Sequence, residues 1–329
     1  MNRSELREEL VALLLQDELR YTTAQVAERG GVGPEQAQRL WRALGFPDPG
    51  ETVAFGDADV RAIRSVQAGI EQGVLEDDTT VRLTRALGQT MAKLADWEVS
   101  TLIDQLERDV GAGRAGSRLE RATWLAQHAA PVFEELMLHV WRRHLAAAAA
   151  RLEALGAADE ELLSMQMTVG FADLSRFTSL SNSLDDNDLA ALVERFEERC
   201  ADLITAQGGR VIKTLGDAIL YVSPDPCGAT RTALDLVAQV GSRDDLPAIR
   251  VGLATGSVIS RLGDVFGPPV NLAARLSHVA RSNRVLVDDD TAATLGQEFE
   301  QRALPPRPLR GFGNVSPITV SQRRGFRTR

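Results

Sequence analysis

Cysteine, aromatic residues and long apolar runs are all scarce in this 329-residue sequence. The two cysteines, Cys200 and Cys227, have neither metal-ligand nor redox spacing, which favours a reducing compartment. The purely apolar run at residues 145–150, which no run of the first half exceeds, is far shorter than the roughly 20 residues of a membrane span. The charged N-terminus, MNRSELREEL, lacks the apolar stretch of a secretory signal. We therefore expect a cytoplasmic protein without a membrane span.

Basic residues are also in the minority, because the net charge is −9. Residues 1–155 contain 18 Lys and Arg against 24 Asp and Glu, a balance of −6. This balance disfavours broad nucleic-acid binding. The length and the ordinary composition, 44% hydrophobic and 25% charged, predict two globular domains.

Residues 1–155 contain almost no strand pattern. They read as helices broken by glycine and proline at 30–34, 45–50 and 111–117, with a kink or break expected at Pro131. The polar segment 156–161 reads as a joint. We predict a helical domain over 1–155, ending in a long linker helix, and a second domain over 156–329.

The second half alternates strands and helices. Strands are predicted in MQMTVGFADL, GGRVIKTLGDAILYV, AIRVGLATGSVIS and NRVLVDD, and helices over 188–207 and 228–240. This order predicts an α/β sandwich with helices on one face of a sheet. The fold class of the whole chain is therefore α+β.

Two carboxylates interrupt these apolar strands. Asp173 ends the strand in TVGFADL, and Asp217 follows Gly216 at the tip between VIKTL and AILYV. Carboxylates that converge on one point repel each other unless a cation lies between them, and Mg²⁺ or Mn²⁺ suits such oxygen ligands. Taken singly, a helix cap for Asp173 and a turn residue for Asp217 are equally ordinary interpretations.

The segments FADLSRFTSL and KTLGDAILYV resemble the two metal-binding segments of class III nucleotidyl cyclases. VGLATGSVISRLGDVFGPPVNLAARLSHVA, residues 251–280, resembles their substrate-specifying and transition-state segment. The resemblance covers roughly residues 165–320 and implies a ferredoxin-like α/β sandwich. It implies that Asp173 and Asp217 hold two divalent ions, Mg²⁺ or Mn²⁺.

The same resemblance implies roles for four further residues. Lys213 and Asp264 would face the purine, and Asn271 and Arg275 would hold the ribose and the reacting phosphorus. Lys213 can donate to adenine N1, and Asp264 can accept from the 6-amino group. Guanine presents the reverse pattern, so this pair selects ATP.

Further phosphate contacts are implied with less support from the pattern. Arg284 in SNRVLVD matches an arginine that meets the terminal phosphates, whereas Arg310 in PLRGFG replaces the more usual lysine. The backbone at a predicted helix start would cradle the β- and γ-phosphates. That helix start comprises Ser175, Arg176, Phe177 and Thr178.

The implied reaction is the conversion of ATP to 3′,5′-cyclic AMP and pyrophosphate by an adenylate cyclase with two metal ions. In this family the metal residues and the base-reading residues of one site come from different chains. Because this chain carries both sets, a head-to-tail homodimer with two composite sites is implied. A guanylate cyclase, a catalytically silent nucleotide-binding or dimerisation module, and a DNA-binding regulator remain as alternatives.

The first half contains a helix-turn-helix outline over 21–49 that resembles the opening of MerR-type domains and would place Gln36 to Arg42 in a DNA groove. The acidic balance makes DNA an unlikely partner. A weaker resemblance to the N-terminal domains of actinobacterial soluble cyclases implies regulation. The histidines of its last helical stretch, His128, His139 and His144, suggest a proton as regulator, and a small hydrophobic ligand is the other candidate.

Overall fold

A computed structural model of the chain describes residues 10–113, 118–154, 164–241, 246–261 and 263–323. The chain divides into two units, Met1–Arg151 and Leu152–Arg329. The joint expected at 156–161, the domain boundary expected between residues 155 and 156, and part of the break at 111–117 lie outside the described residues.

The first unit is helical apart from one isolated bridge between Tyr21 and Phe55, in the part of the chain that the structure describes. Residues 10–15 are helical and are followed by α1 Thr23–Gly30, α2 Pro34–Leu44, α3 Asp57–Glu71, α4 Asp77–Gly111 and α5 Arg118–Ala154. The chain leaves α1 and α2 at Gly31 and Gly45, which both adopt left-handed backbone conformations. The predicted breaks at 30–34 and 45–50 therefore follow from local glycine and proline chemistry.

A small apolar core holds the first three of these helices together. Thr22 caps α1, because its side chain accepts a hydrogen bond from the Gln25 N–H while the Gln25 side chain accepts one from the Thr22 N–H. Trp41 of α2 stacks on Phe55 with ring centroids 5.1 Å apart. Val26 and other buried side chains of α1 and α3 complete this core.

The two longest helices, α4 and α5, contain 35 and 37 residues. Arg121 of α5 forms an ion pair with the buried Asp109 of α4 at 2.6 Å. The helix α5 continues through Pro131, where the sequence predicted a kink or break. Among the described residues, no helix combines the length and apolarity needed to cross a membrane.

The second unit contains ten strands and five helices in its described residues. The strands are β1 Ser164–Leu174, β2 Arg210–Thr214, β3 Ala218–Ser223, β4 Ile249–Arg261, β5 Asp264–Phe266, β6 Arg284–Val287, β7 Phe299–Ala303, β8 Arg307–Leu309, β9 Gly313–Val315 and β10 Ile318–Gln322. The helices are α6 Phe177–Ser181, α7 Asp186–Ala206, α8 Pro226–Gln239, α9 Pro268–Val279 and α10 Asp289–Thr294.

Eight of these strands form one mixed sheet in the order β2-β3-β1-β4-β6-β10-β7, with β5 added beside β4. The strands β4 and β6 run parallel, and the other neighbours run antiparallel. The strands β8 and β9 form a separate hairpin. This topology confirms the predicted α+β class.

Helices cover both faces of the sheet, which differs from the sequence-based expectation of helices on one face. Phe196 of α7, Leu236 of α8 and Ala292 of α10 share a core with one face. Ala273 of α9 packs against the other face. The helix α9 approaches β4 so closely that a Cβ atom at Gly252 would lie 2.2 Å from the Ala273 carbonyl oxygen. The absence of a side chain at Gly252 therefore allows α9 to pack this closely against the sheet.

Candidate active site

Asp173 and Asp217 lie next to each other at one end of the sheet. Asp173 is near the end of β1, and Asp217 lies in the turn between β2 and β3, after Gly216 with φ of 76°. The N–H of Leu174 donates a 2.8 Å hydrogen bond to the carbonyl oxygen of Asp217. This bond ties the turn to the end of β1 and so places the backbone of Asp217 beside the end of the strand that carries Asp173.

Asp173 is only 6% exposed and is paired with an arginine of the neighbouring strand. The Nε and Nη2 atoms of Arg250 donate to its two carboxylate oxygens at 3.0 and 3.3 Å. Burial raises the pKa of Asp173 above its ordinary value, the Arg250 guanidinium opposes this rise, and the Asp217 carboxylate adds to it. The Asp217 carboxylate is thus one of the charges that set this pKa.

Arg250 is a site residue that the sequence interpretation missed. It is the second residue of β4 and lies directly opposite Asp173 in the antiparallel register of β1 and β4. A charged residue inside the apolar segment AIRVGLATG was the available signal. Its partner could be identified only from the pairing of two strands separated by 77 positions in the chain.

Ser175, which follows β1, has a buried hydroxyl group without a hydrogen-bond partner. Its backbone N–H already donates to the Ala248 carbonyl oxygen at 2.7 Å, so this N–H is not free for a phosphate as the sequence interpretation assumed. Arg176 adopts φ of 61°, and Phe177 and Thr178 open the five-residue helix α6. An unpaired buried hydroxyl beside two carboxylates suits a polar ligand, because leaving it unpaired costs free energy.

The two carboxylates are suited to hard divalent cations that have other ligands as well. No group of three or more His, Cys, Asp or Glu side chains with metal-binding geometry occurs among the described residues. Mg²⁺ is commonly held by one or two carboxylates together with substrate phosphates and water, so two carboxylates are enough. In the described residues, the positive charge paired with Asp173 is the Arg250 guanidinium.

Lys213 and Asp264 form an ion pair, with Nζ and Oδ2 2.5 Å apart. The pairing of β2 with β3 shifts by one residue between Val211 and Lys213, so that Lys213 lies opposite Leu220. Asp264 is the first residue of β5. Both side chains remain partly exposed, at 42% and 28%. Although burial tends to raise the pKa of Asp264, hydrogen bonds from Lys213 and from the Val265 N–H lower it overall. The pair therefore presents a cationic donor beside an anionic acceptor at the surface.

Asn271 and Arg275 lie one helical turn apart on the exposed side of α9. His278 continues this exposed row, and its charge acts on the pKa of Asp173. The carbonyl oxygen of His278 also accepts a hydrogen bond from Arg250 at 3.3 Å. The helix α9 thus covers the sheet face on which Asp173 and Arg250 are paired.

The two remaining predicted phosphate ligands lie in other parts of the second unit. Arg284 is exposed at the start of β6, where it pairs in register with Arg250. Arg310 is exposed in the turn between β8 and β9, next to Gly311 with φ of 90°. The structure thus joins Asp173 with Asp217 and Lys213 with Asp264, but it gives Arg284 and Arg310 no contact with either pair.

The helix-turn-helix outline of the first unit corresponds to α1 and α2. Ala37, Leu40 and Trp41 of α2 are buried. Arg39 forms ion pairs with two acidic residues at the start of α4, which neutralise its charge. The three histidines of α5 are exposed, and His128 stacks on Trp124 with ring centroids 4.3 Å apart.

Comparison with known proteins gives a consistent result. Residues 163–321 match the family described as "Adenylate and Guanylate cyclase catalytic domain". The chain is 39% identical to an adenylate cyclase of Streptomyces coelicolor over 96% of this chain and 90% of that protein. It is 34% identical to a pH-sensitive adenylate cyclase of Mycobacterium tuberculosis over 95% of this chain and 80% of that protein.

A solved structure also resembles the second half of the chain. It is the catalytic core of a rhodopsin-guanylyl cyclase with converted specificity, in complex with ATPαS. The sequence identity is 23%, and the match covers 49% of this chain and 99% of that one, with a TM-score of 0.46.

Proposed function

This chain belongs to the adenylate and guanylate cyclase family, and from that premise we propose that it is an adenylate cyclase that converts ATP to 3′,5′-cyclic AMP and pyrophosphate. The observation that carries the proposal is the convergence of Asp173 and Asp217, which the hydrogen bond between Leu174 and Asp217 holds in place. Divalent cations bound there would lower the pKa of the ribose 3′-hydroxyl and neutralise charge on the leaving pyrophosphate. With cations on Asp173, the guanidinium of Arg250 would be released towards phosphate oxygens.

The base preference rests on Lys213 and Asp264. Adenine presents the N1 acceptor next to the 6-amino donor, and the Lys213–Asp264 pair presents a donor next to an acceptor. Binding adenine would replace the contact between the two side chains with one hydrogen bond from each to the base. Guanine would place its O6 acceptor against Asp264, so two acceptors would face each other. ATP is therefore the proposed substrate.

Asn271 and Arg275 would act on the reacting atoms. In the reaction, the ribose 3′-oxygen bonds to the α-phosphorus, the bond to the bridging oxygen of pyrophosphate breaks, and the hydroxyl proton passes to water. Arg275 can donate hydrogen bonds to the phosphoryl oxygens as they gain negative charge, and Asn271 can orient the ribose. Both side chains are exposed on α9, where a substrate could reach them.

We further propose that two chains assemble head to tail, with each site combining the carboxylates of one chain and the base-reading pair of the other. The exposure of Lys213, Asn271 and Arg275 supports this proposal, because water-exposed side chains discriminate poorly between substrates. A second chain would bury these side chains around the nucleotide.

We also propose that the first unit regulates activity in response to pH. Its three histidines are exposed on α5, and a relative that matches nearly the whole chain is described as pH-sensitive. Histidine changes its charge near pH 6.5, within the range that cells experience. A small hydrophobic ligand stays as the other candidate regulator.

Purified protein incubated with Mn²⁺ and either ATP or GTP tests the proposal directly. We expect cyclic AMP from ATP and little product from GTP. Asp173→Ala and Asp217→Ala should each lower the rate by about 10²-fold or more, because charge stabilisation in the transition state is lost. Glu194→Ala, on the exposed side of α7, is the matched control and should behave as wild type.

Mixed dimers test the composite site. An equal mixture of Asp217→Ala and Lys213→Ala chains should recover about a quarter of wild-type activity, because half of the dimers are mixed and each has one intact site. Absence of recovery in dimers shown to be mixed would rule out composite sites. Cyclic GMP as the main product would favour a guanylate cyclase, and nucleotide binding without any product would favour a silent module.

A further inference from the structure

A groove of about 930 Å³ lies beside β6, β7 and β10 in the second unit. Its lining includes five arginines, Arg281, Arg284, Arg302, Arg307 and Arg323. We propose that this arginine groove binds an anion with two or more linked phosphates, at a site separate from the paired carboxylates. The inference does not depend on the proposed cyclase activity.

The register of the sheet gathers two of these arginines on one face. Leu286, Thr319 and Arg302 pair in register across β6, β10 and β7. Because side chains alternate along a strand, Arg284 projects from the same face as Leu286, two residues further along β6. This is the face that α9 covers, since Leu286 packs against Leu276 of α9.

Hydrogen bonds outside the strands fix the rim of the groove. Asn283, with φ of 57°, lies between Arg281 and Arg284, and its N–H donates to the Ile249 carbonyl oxygen at 2.7 Å. The Asn283 side chain accepts from the Ile249 N–H at 3.2 Å. On the other side, the N–H of Arg323 donates to the Glu298 carbonyl oxygen at 2.8 Å. The backbone that carries these arginines is therefore held in place without a ligand.

Among the described residues, no side chain neutralises the positive charges of the groove. Within the ranges that the structure describes, none of the five guanidinium groups makes an ion pair or a hydrogen bond. Glu300 lines the groove but lies beyond ion-pair distance of all five. By contrast, Arg250 and Arg121 pair with Asp173 and Asp109. Like charges that are held close together repel each other, so an anionic ligand would be strongly favoured here.

The shape and chemistry of the groove favour linked phosphates. Planar guanidinium groups donate paired hydrogen bonds that match phosphate oxygens, and several together suit an extended anion better than one phosphate. The volume falls within the range of about 300–1,000 Å³ that is usual for small-molecule sites. Thr319 and Ser321 add hydroxyl groups to the lining, while Leu304 and Pro305 add an apolar wall that could contact a nucleoside.

The groove begins next to the candidate active site and extends away from it. Asp173, Arg250 and Arg284 pair in register across β1, β4 and β6, which places the Cα atoms of Asp173 and Arg284 about 10 Å apart. Arg284 thus marks the end nearer to the carboxylates. Arg281 and Arg302 are better choices for variants, because neither is a candidate ligand of the active site.

Titration calorimetry on the full chain carrying Asp217→Ala, in EDTA and low salt, separates this groove from a metal-loaded active site. The probes are pyrophosphate, ATP and orthophosphate. We expect pyrophosphate to bind saturably with one site per chain and orthophosphate to bind much more weakly. Adding Arg281→Gln and Arg302→Gln together should weaken pyrophosphate binding at least about tenfold, because two charge-assisted contacts are lost.

The matched control is Arg142→Gln with Arg195→Gln, which removes the same charge from exposed positions of α5 and α7 and should leave the affinity unchanged. Thermal melting of both pairs verifies folding, and Arg302→Lys, which keeps the charge but loses the planar donor set, should give an intermediate affinity. ATP binding that Arg281→Gln with Arg302→Gln weakens as much as pyrophosphate binding would support the groove as the site of both anions. Absence of saturable binding, equal loss in the control pair, or equal affinity for orthophosphate would each overturn the proposal.

Discussion

In the second unit, Phe196, Tyr221 and Leu236 are fully buried, whereas Trp97, Trp141 and Leu145 of the first unit are more than half exposed. The difference follows from architecture. Strands place alternate side chains on two faces, and both faces of this sheet are covered by helices of the same unit. The long helices α4 and α5 carry apolar side chains that this unit leaves exposed.

Polar contacts also differ between the two units. In the first unit, the buried Asp109 accepts hydrogen bonds from Arg121 at 2.8 Å and from Gln105 at 3.0 Å. The guanidinium of Arg121 also stacks on Trp124, 4.1 Å from the ring centroid. In the second unit, the buried pair of Asp173 and Arg250 lies at the candidate active site. The buried charge thus joins two helices in the first unit, whereas in the second unit it lies at the candidate active site.

The largest effect on stability is expected when a leucine is changed to alanine in each unit and the two variants are compared. Leu236→Ala should destabilise the protein by about 2–5 kcal/mol, because it leaves a cavity in a closed core. Leu145→Ala, at a side chain that is 56% exposed, should change the unfolding free energy by less than about 0.5 kcal/mol. Urea denaturation of both variants measures the difference. A loss for Leu145→Ala as large as that for Leu236→Ala would mean that this face of α5 is covered in the assembled protein.

A smaller effect is expected from the buried ion pair of the first unit. Arg121→Met should lower the free energy of unfolding by about 2 kcal/mol, because it leaves the buried Asp109 carboxylate without its partner. The loss should be smaller than for a fully buried pair, because Arg121 is itself partly exposed to solvent. Thermal unfolding at neutral pH checks this value. Arg39→Gln, at an exposed ion pair of the same unit, is the control and should have little effect. Equal losses of stability for the two variants would show that burial of the carboxylate does not increase the contribution of the ion pair to stability.

The smallest effect is expected from the histidines of the first unit. Changing His128, His139 and His144 together to glutamine should flatten the dependence of cyclase activity on pH, because a glutamine side chain cannot take up a proton in place of an imidazole. The maximal rate should stay close to that of wild type, because none of the three lies in the catalytic unit. The measurement is the rate of cyclic AMP formation from pH 5.5 to 8. Superimposable profiles would remove the histidines as the pH sensor.

Much of the site was predictable because its residues occupy local positions. Gly216 and Asp217 between two apolar runs specify a turn, and Asp173 at the end of an apolar run specifies a carboxylate at a strand end. Asn271 and Arg275 share a helix side through their spacing alone. The candidate site residues could therefore be proposed from motifs of a few positions.

Other features depend on contacts between distant parts of the chain. Helices on both faces of the sheet were not predicted, because periodicity shows that α9 is amphipathic but not which face it covers. The continuity of α5 through Pro131 was also not predicted, since a proline destabilises a helix without fixing whether neighbouring contacts compensate.

Local pattern alone decided where strands, turns and carboxylates occur in this chain, because backbone preferences and side-chain periodicity act over a few neighbouring residues. Only the pairing of strands decided that Arg250 lies on Asp173 and that arginines from β6, β7 and β8 line one groove. The reason is that a sheet brings together residues far apart in sequence, and its register fixes which side chains share a face.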